Sequence, residues 1–323
     1  MDYVYLIVGL ALILFGASWL TDGASALARR WGVSDLVIGL TIVAFGTSAP
    51  ELVISIVSAL GGNSGIAIGN VVGSNIFNIL MITGCTALVM PLSIGRSTLS
   101  KEIPLVILSS LVLWFCSADM LIDGASENVV SRADGLVLLA FFLIFMRYTF
   151  SIARDKPADA VPESAAVRPM KLGISLLYVV AGLAGLVFGG QGFVKGASGI
   201  ASSLGVSDAV IGLTIVAAGT SLPELATSIV AAIKKNPGIA IGNVVGSSIF
   251  NAFFIMGAAA TISPMKVEGI STIDYAVLIG ASLLLYIFGQ AFGQRTIRRW
   301  EGAVMAICFV LYTVWLVVSA TRG

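Results

Sequence analysis

Two glutamates, Glu51 and Glu224, lie deep inside long apolar stretches, and each ends a Gly-Thr-Ser-x-Pro-Glu run, Gly46 to Glu51 and Gly219 to Glu224. A charged side chain at the centre of a membrane helix costs about 2.5–3.5 kcal/mol on insertion scales, so two retained carboxylates call for a function. Pro50 and Pro223 have no backbone N–H to donate and clash with the preceding turn. That interruption is expected to release the carbonyls of Ala44, Thr47, Ala217 and Thr220 from helical bonding. Freed backbone groups inside a membrane are tolerated only where something else satisfies them, and a cation would do so. With the hydroxyls of Thr47, Ser48, Thr220 and Ser221, these groups make a hard, all-oxygen set. Such a set suits Ca2+ or Na+ and does not suit zinc or copper. Hydroxyls bonding back to a kinked helix would explain the Thr-Ser-Pro part alone, but would leave both glutamates without a role.

A second polar cluster follows in each case. Ser74 and Asn78 are four residues apart, as are Ser247 and Asn251, so each pair shares a helix face. Ion ligation and hydrogen bonding between membrane helices both fit these four residues. Gly65, Gly69 and Gly73, and Gly238, Gly242 and Gly246, recur every four residues and read as close helix packing. Asn70 and Asn243 are expected to satisfy broken backbone rather than to ligate. Asp35 and Asp208, beside Ser34 and Ser207, read as helix caps. Asp119, Asp123 and Glu127 read as a solvated acidic connection.

These residues are embedded in a chain built for lipid. Of 323 residues, 58% are hydrophobic and only 11% charged, and the mean hydropathy is +1.02. A soluble domain carries about 25% charged residues, which excludes a soluble enzyme and a disordered protein. A net charge of +1 gives no field to attract nucleic acid. The absence of histidine removes imidazole relays and His-based zinc sites. Cys85, Cys116 and Cys308 lie in apolar runs with no CxxC spacing and read as packed thiols. No GxxxxGK loop is present, so ATP-driven pumping has no support. The fold expected is an all-α polytopic membrane protein, and the catalytic and cofactor classes are expected to be empty.

Apolar runs of spanning length occur near 3–22, 35–60, 65–90, 103–118, 134–151, 172–194, 207–233, 238–262, 274–291 and 301–319. That predicts ten transmembrane helices. The opening Met1-Asp2-Tyr3 has no basic segment, which argues for a retained first helix over a cleaved signal. With ten spans, four Lys and Arg fall on the side of the N-terminus and fourteen on the other, so both termini are expected on the non-cytoplasmic side. Residues 154–171, rich in Pro, Ala and mixed charge, read as a short cytoplasmic linker.

The linker separates two copies of one unit. A shift of 173 lays Val33–Leu52 on Val206–Leu225 with 17 of 20 positions identical, and Gly65–Asn78 on Gly238–Asn251 with 13 of 14. Five spans per copy, 1–153 and 172–323, make the second copy enter upside down. The basic residues agree: Arg29 and Arg30 align with Ser202 and Ser203, while Gly61 and Gly62 align with Lys234 and Lys235. Charges that change ends between copies are what inverted repeats require. Inverted repeats are characteristic of secondary transporters, with the substrate site near the midplane.

The paired GTSAPE…GNVVGSNIFN and GTSLPE…GNVVGSSIFN sequences resemble the alpha repeats of the cation/calcium exchanger superfamily, and most closely its prokaryotic sodium/calcium exchangers. The resemblance covers nearly the whole chain. It implies ten helices in two inverted five-helix repeats, with broken helices around a midplane ion site in the cell membrane. It implies Ca2+ held by Glu51 and Glu224 with the Thr47 and Thr220 carbonyls. Na+ would use the same glutamates with Ala44, Thr47, Ser48 and Ser74, and with Ala217, Thr220, Ser221 and Ser247. Asn78 and Asn251 would line the middle. Members of the family often carry aspartate where Asn251 stands, and asparagine there disfavours K+ co-transport. The activity implied is Na+/Ca2+ antiport with no protein partner. A proton/calcium antiporter of the same superfamily is the nearest alternative, and a passive cation channel a more distant one.

Overall fold

The computed structural model describes residues 1–154, 170–204, 217–290 and 295–322. Most of the expected linker lies outside the described residues, as do Ser207 and Asp208. The chain is a polytopic, helical membrane protein. Its longer helices are α1 (Asp2–Trp31), α2 (Asp35–Thr47), α3 (Ala49–Leu60), α4 (Ser64–Val89) and α5 (Thr98–Phe115). They continue as α6 (Arg132–Arg154), α7 (Leu172–Ser203), α8 (Leu222–Ile233), α9 (Pro237–Ile262), α10 (Thr272–Gln290) and α11 (Arg299–Arg322). Among the described residues, eight helices are singly long and apolar enough to cross a bilayer. Together α2 and α3 make a ninth span, bent by 48°. A tenth is expected over 207–233; its described part is the turn Ala217–Thr220 and α8.

The helices start where local chemistry predicts. Asp134 Oδ2 accepts hydrogen bonds from the Ser131 amide (2.8 Å) and hydroxyl (2.6 Å). Asp274 does the same for Ser271, at 2.7 and 2.8 Å. The Asp134 amide returns a bond to Ser131 Oγ at 3.2 Å and completes a capping box, while the Asp274 amide bonds the Ser271 carbonyl instead. The cap of α2 is Ser34, which accepts from the Val37 amide, rather than the expected Asp35; Asp35 lies in the first turn and accepts from Asn236 Nδ2 at 2.9 Å. The outer faces are apolar: Leu143 and Ile144 on α6 and Val310, Leu311 and Val314 on α11 are exposed, a surface matched to hydrocarbon. By contrast, α9 is almost wholly buried and runs through the middle of the protein.

The long helices α1 and α7 pack antiparallel along a seam of glycines spaced seven apart. A Cβ on Gly16 would sit 2.8 Å from the Gly182 carbonyl, and one on Gly23 2.8 Å from the Ser175 carbonyl. In return, a Cβ on Gly182 would come 2.6 Å from the Leu20 amide and one on Gly189 2.8 Å from the Ile13 amide. Backbone meets backbone there, and only glycine fits. The glycines singled out at spacing four behave as expected on α9. A Cβ on Gly242 or Gly246 would come within 2.8 Å of the Leu36 carbonyl or Leu40 Cα on α2. Their counterparts on α4 differ: Gly65 packs on the Glu268 carbonyl, and Gly73 meets nothing within 4 Å among the described residues.

The all-α fold carries short strand pairings in its loops. Leu92–Ser93 (β1), Val129–Val130 (β2), Met265–Lys266 (β3) and Thr296–Ile297 (β4) form two antiparallel ribbons, β1 with β4 and β2 with β3. Each ribbon joins a loop of the first half to one of the second. Backbone groups leaving a helix still need partners, and the loops supply them to each other. Beside the ribbons, a Cβ on Gly84 would meet the Gly302 carbonyl at 2.7 Å, and one on Gly135 the Gly257 carbonyl at 2.8 Å. The halves interlock at both ends. In the acidic connection, Asp123 and Glu127 are exposed as expected, while Asp119 accepts from the Val129 amide and Glu127 pairs with Lys266.

Candidate functional site

The site begins at two matched breaks. Ser48 stands between α2 and α3 with φ −83° and ψ 8°, and Ser221 stands before α8 with φ −92° and ψ 9°. Both are in the sparsely allowed bridge region, where active-site residues recur. Pro50 and Pro223 open the helices that follow, and Glu51 and Glu224 sit in their first turns. The positive end of each helix dipole thus faces a carboxylate, which lowers the cost of keeping it there.

The break is narrower than expected. The Ala44 carbonyl keeps the Ser48 amide as donor at 3.0 Å, with Thr47 Oγ1 3.3 Å away. Expecting Ala44 to be released was therefore incorrect: by i→i−4 register, Pro50 deprives Gly46, leaving the ladder intact up to Ser48. Ala217 lies in the corresponding turn, Ala217–Thr220, and Thr220 closes it.

The two halves exchange hydrogen bonds crosswise. Ser48 Oγ donates to Glu224 Oε1 at 2.9 Å, and Ser221 Oγ donates to Glu51 Oε1 at 3.1 Å. Ser221 Oγ also lies 3.3 Å from Ser74 Oγ. Thr47 Oγ1 donates to Asn243 Oδ1 at 3.1 Å. Glu51 and Thr47 are fully buried, and Glu224 is 1% exposed.

Behind each glutamate an asparagine braces the backbone. Asn70 Nδ2 donates to the Glu51 carbonyl (3.1 Å) and Ser55 Oγ (2.9 Å). Asn243 Nδ2 donates to the Glu224 carbonyl (3.1 Å) and Ser228 Oγ (3.0 Å). These are the backbone-satisfying roles expected of the two asparagines. Ser55 and Ser228 had not been singled out, although their place four residues after each glutamate was a usable signal.

The second cluster is positioned by a feature that composition does not announce. At matching places α4 and α9 each widen into a π-turn, Phe77–Ile82 and Phe250–Ile255. Such turns are rare and concentrate at functional sites. They carry Asn78 and Asn251, both buried, with neither carboxamide hydrogen-bonded. Glu51 Oε2, Glu224 Oε2 and Ser247 Oγ are likewise buried without a partner. Buried polar atoms are nearly always satisfied, so unpaired oxygens on both carboxylates and both central asparagines need an explanation. An oxygen-lined place for a desolvated cation supplies one, because its charge offsets the desolvation of its ligands.

Other buried carboxylates went unnoticed in the sequence. Glu102 accepts from Tyr148 Oη, Asp274 from Tyr312 Oη at 2.7 Å, and Glu301 from the Arg298 amide at 2.6 Å. They lie near helix starts, away from the paired glutamates in the chain. Lys234, next to α8, donates to Ser18 Oγ (2.8 Å), the Ser18 carbonyl (2.9 Å) and Asp22 (2.6 Å) on α1. Among the described residues no group of three or more Cys, Asp or Glu is arranged to hold a metal ion, so carboxylates alone do not make the site.

A family model described as sodium/calcium exchanger protein matches residues 1–151 and 174–318. Putative antiporter CaxA of Alkalimonas amylolytica is 36% identical over 315 residues, 96% of each chain. Sodium/calcium exchanger MaX1 of Methanosarcina acetivorans is 34% identical over 346 residues, 98% of each chain. A structure of the sodium-calcium exchanger NCX_Mj, soaked with 10 mM Na+ and no Ca2+, superposes with a TM-score of 0.80 at 33% identity. That superposition covers 96% of this chain and 97% of the other.

Proposed function

The chain belongs to the sodium/calcium exchanger family, and from that premise we infer how its own residues perform the exchange. It is a secondary antiporter, not an enzyme, moving Na+ against Ca2+ across the cell membrane by alternating access. Glu51 and Glu224 are the anionic ligands for both ions. Thr47, Ser48 and Ser74 serve on one side, Thr220, Ser221 and Ser247 on the other, with Asn78 and Asn251 between. The Thr47, Thr220 and Ala217 carbonyls add neutral oxygens, while that of Ala44 is already engaged by the Ser48 amide.

The observation that carries this reading is the group of unpartnered buried oxygens on Glu51, Glu224, Asn78 and Asn251. Two close carboxylates repel and are costly to bury as a charged pair. Ca2+ neutralises them, and so do Na+ ions at the same oxygens. An empty, doubly charged site resists the passage between access states, so the carrier crosses loaded with one ion or the other. With asparagine at 251 the pair stands alone, which disfavours K+ as a third ion.

The same inference extends to the architecture. Ten spans form two inverted five-helix repeats, 1–153 and 172–323, joined by the cytoplasmic segment 154–171. The bias of four basic residues against fourteen supports both termini outside the cytoplasm. With an inward Na+ gradient, the net direction is Ca2+ extrusion.

The test is uptake of radioactive Ca2+ into Na+-loaded liposomes placed in Na+-free buffer, with Glu51→Gln as control. Uptake that needs internal Na+ and disappears in the variant supports the reading. Uptake indifferent to Na+ and driven by a pH gradient replaces Na+ coupling with proton coupling.

A further inference from the structure

The duplicated motif Gly65–Asn78 differs from Gly238–Asn251 at a single position, where Asn75 faces Ser248. That residue makes a direct bond between the halves. Asn75 is 1% exposed, and its Nδ2 donates to the Ser248 carbonyl at 3.0 Å. A residue bonded to its own counterpart lies on the pseudo-two-fold axis relating the copies. Space on such an axis must be shared, so one long side chain needs a short one opposite. The Ser248 hydroxyl does not reciprocate; it donates to the Val244 carbonyl of its own helix at 2.8 Å. The bond is therefore one-sided and rests on the Asn75 carboxamide.

Its place in the chain gives the bond its consequence. Asn75 sits beside Ser74 and three residues before Asn78, and Ser248 sits beside Ser247 and three before Asn251. The bond fixes where α4 crosses α9, immediately before both π-turns. Any slip at that crossing changes the distance between the oxygens of Ser74 and Asn78 and those of Ser247 and Asn251. We propose that Asn75 is a positioning residue, whose bond to the Ser248 backbone sets the spacing of the central oxygens and thereby the size of divalent cation the site prefers. This rests on the exchange reading given above.

The experiment measures Na+-dependent uptake of radioactive Ca2+ in competition with Ca2+ or the larger Sr2+, alongside thermal stability in detergent. Asn75→Leu keeps the bulk and loses the donor. Asn75→Ser substitutes the residue the second copy already carries, should the leucine variant fail to fold. Either is expected to shift the ratio of Sr2+ to Ca2+ competition by about five-fold or more, the equivalent of one lost buried hydrogen bond. Ser248→Ala keeps the accepting carbonyl and should leave the ratio within about two-fold of native, by the same arithmetic. The exchange Asn75→Ser with Ser248→Asn moves the carboxamide across the axis and should restore the native ratio.

An unchanged ratio in the Asn75 variants, with stability alone reduced, would overturn the proposal, as would a double exchange that fails to restore it. Absence of Na+-dependent uptake by the native chain would overturn the exchange reading and this proposal with it. Native uptake with an unshifted ratio overturns this proposal alone.

Discussion

On the proposed ligand set, a glutamine at position 51 or 224 keeps the shape of the side chain but leaves one carboxylate in place of two. Ca2+ then loses a charged ligand in a desolvated place, a change of about 3 kcal/mol for a charge-assisted contact, or about a hundred-fold in affinity. Glu51→Gln and Glu224→Gln should each lower Ca2+ uptake at limiting Ca2+ by about that factor, read as initial rates in liposomes. The serines make a finer test. Ser48→Ala and Ser221→Ala each remove one crosswise hydrogen bond of 2.9 or 3.1 Å. Each should raise the half-saturating Ca2+ concentration about ten-fold, and the two effects should be similar because the positions are equivalent. The glutamates were legible in the sequence because a membrane carboxylate is costly and because the motif occurs twice. The exchange of Ser48 and Ser221 between glutamates was not legible. It depends on how the breaks face each other, which no spacing along one helix encodes.

The elements divide in the same way. Hydropathy located the eight long spans and the bent α2–α3 pair found among the described residues, and proline located the breaks in α2–α3 and before α8. The π-turns of α4 and α9 escaped, since one extra residue in a turn leaves no compositional mark. The glycine seam was only half legible: Gly9, Gly16 and Gly23 recur every seven residues along α1, but the helix they meet lies far away in the chain. It nevertheless supports a sharp prediction. Gly16→Ala and Gly182→Ala would place a methyl within 2.8 Å of backbone atoms and should lower thermal stability in detergent. Gly280→Ala, on an exposed stretch of α10 with nothing within 4 Å, should be neutral or stabilising by about 0.5–1 kcal/mol. The link from Lys234 to Asp22 and Ser18 also belongs at this scale. Lys234→Met should cost about 1 kcal/mol, and adding Asp22→Asn should cost little more, a coupling measurable by a double-mutant cycle in thermal unfolding.

At the scale of the whole molecule, the halves are bound into one body. Glu51 depends on Ser221 and Glu224 on Ser48, and both β-ribbons join one half to the other. Segments 1–153 and 172–323 expressed separately should therefore be unstable, yet co-expressed they should co-purify through a tag on either one. Recovery of a stable, monodisperse single half would count against this interdependence. The duplication itself was plain in the sequence. Its interlocking was not, because identity between copies says that they are alike without saying that they touch. The glycine seam then bears on how the protein is made. The first helix enters the bilayer with Gly9, Gly16 and Gly23 shaped for a partner the ribosome has yet to produce. At about 5–20 residues per second, α7 follows roughly ten seconds or more later. Throughout that interval the newborn helix offers lipid a groove in its side. Whatever occupies the groove, whether acyl chain, insertion machinery or chaperone, must leave before the seam can close.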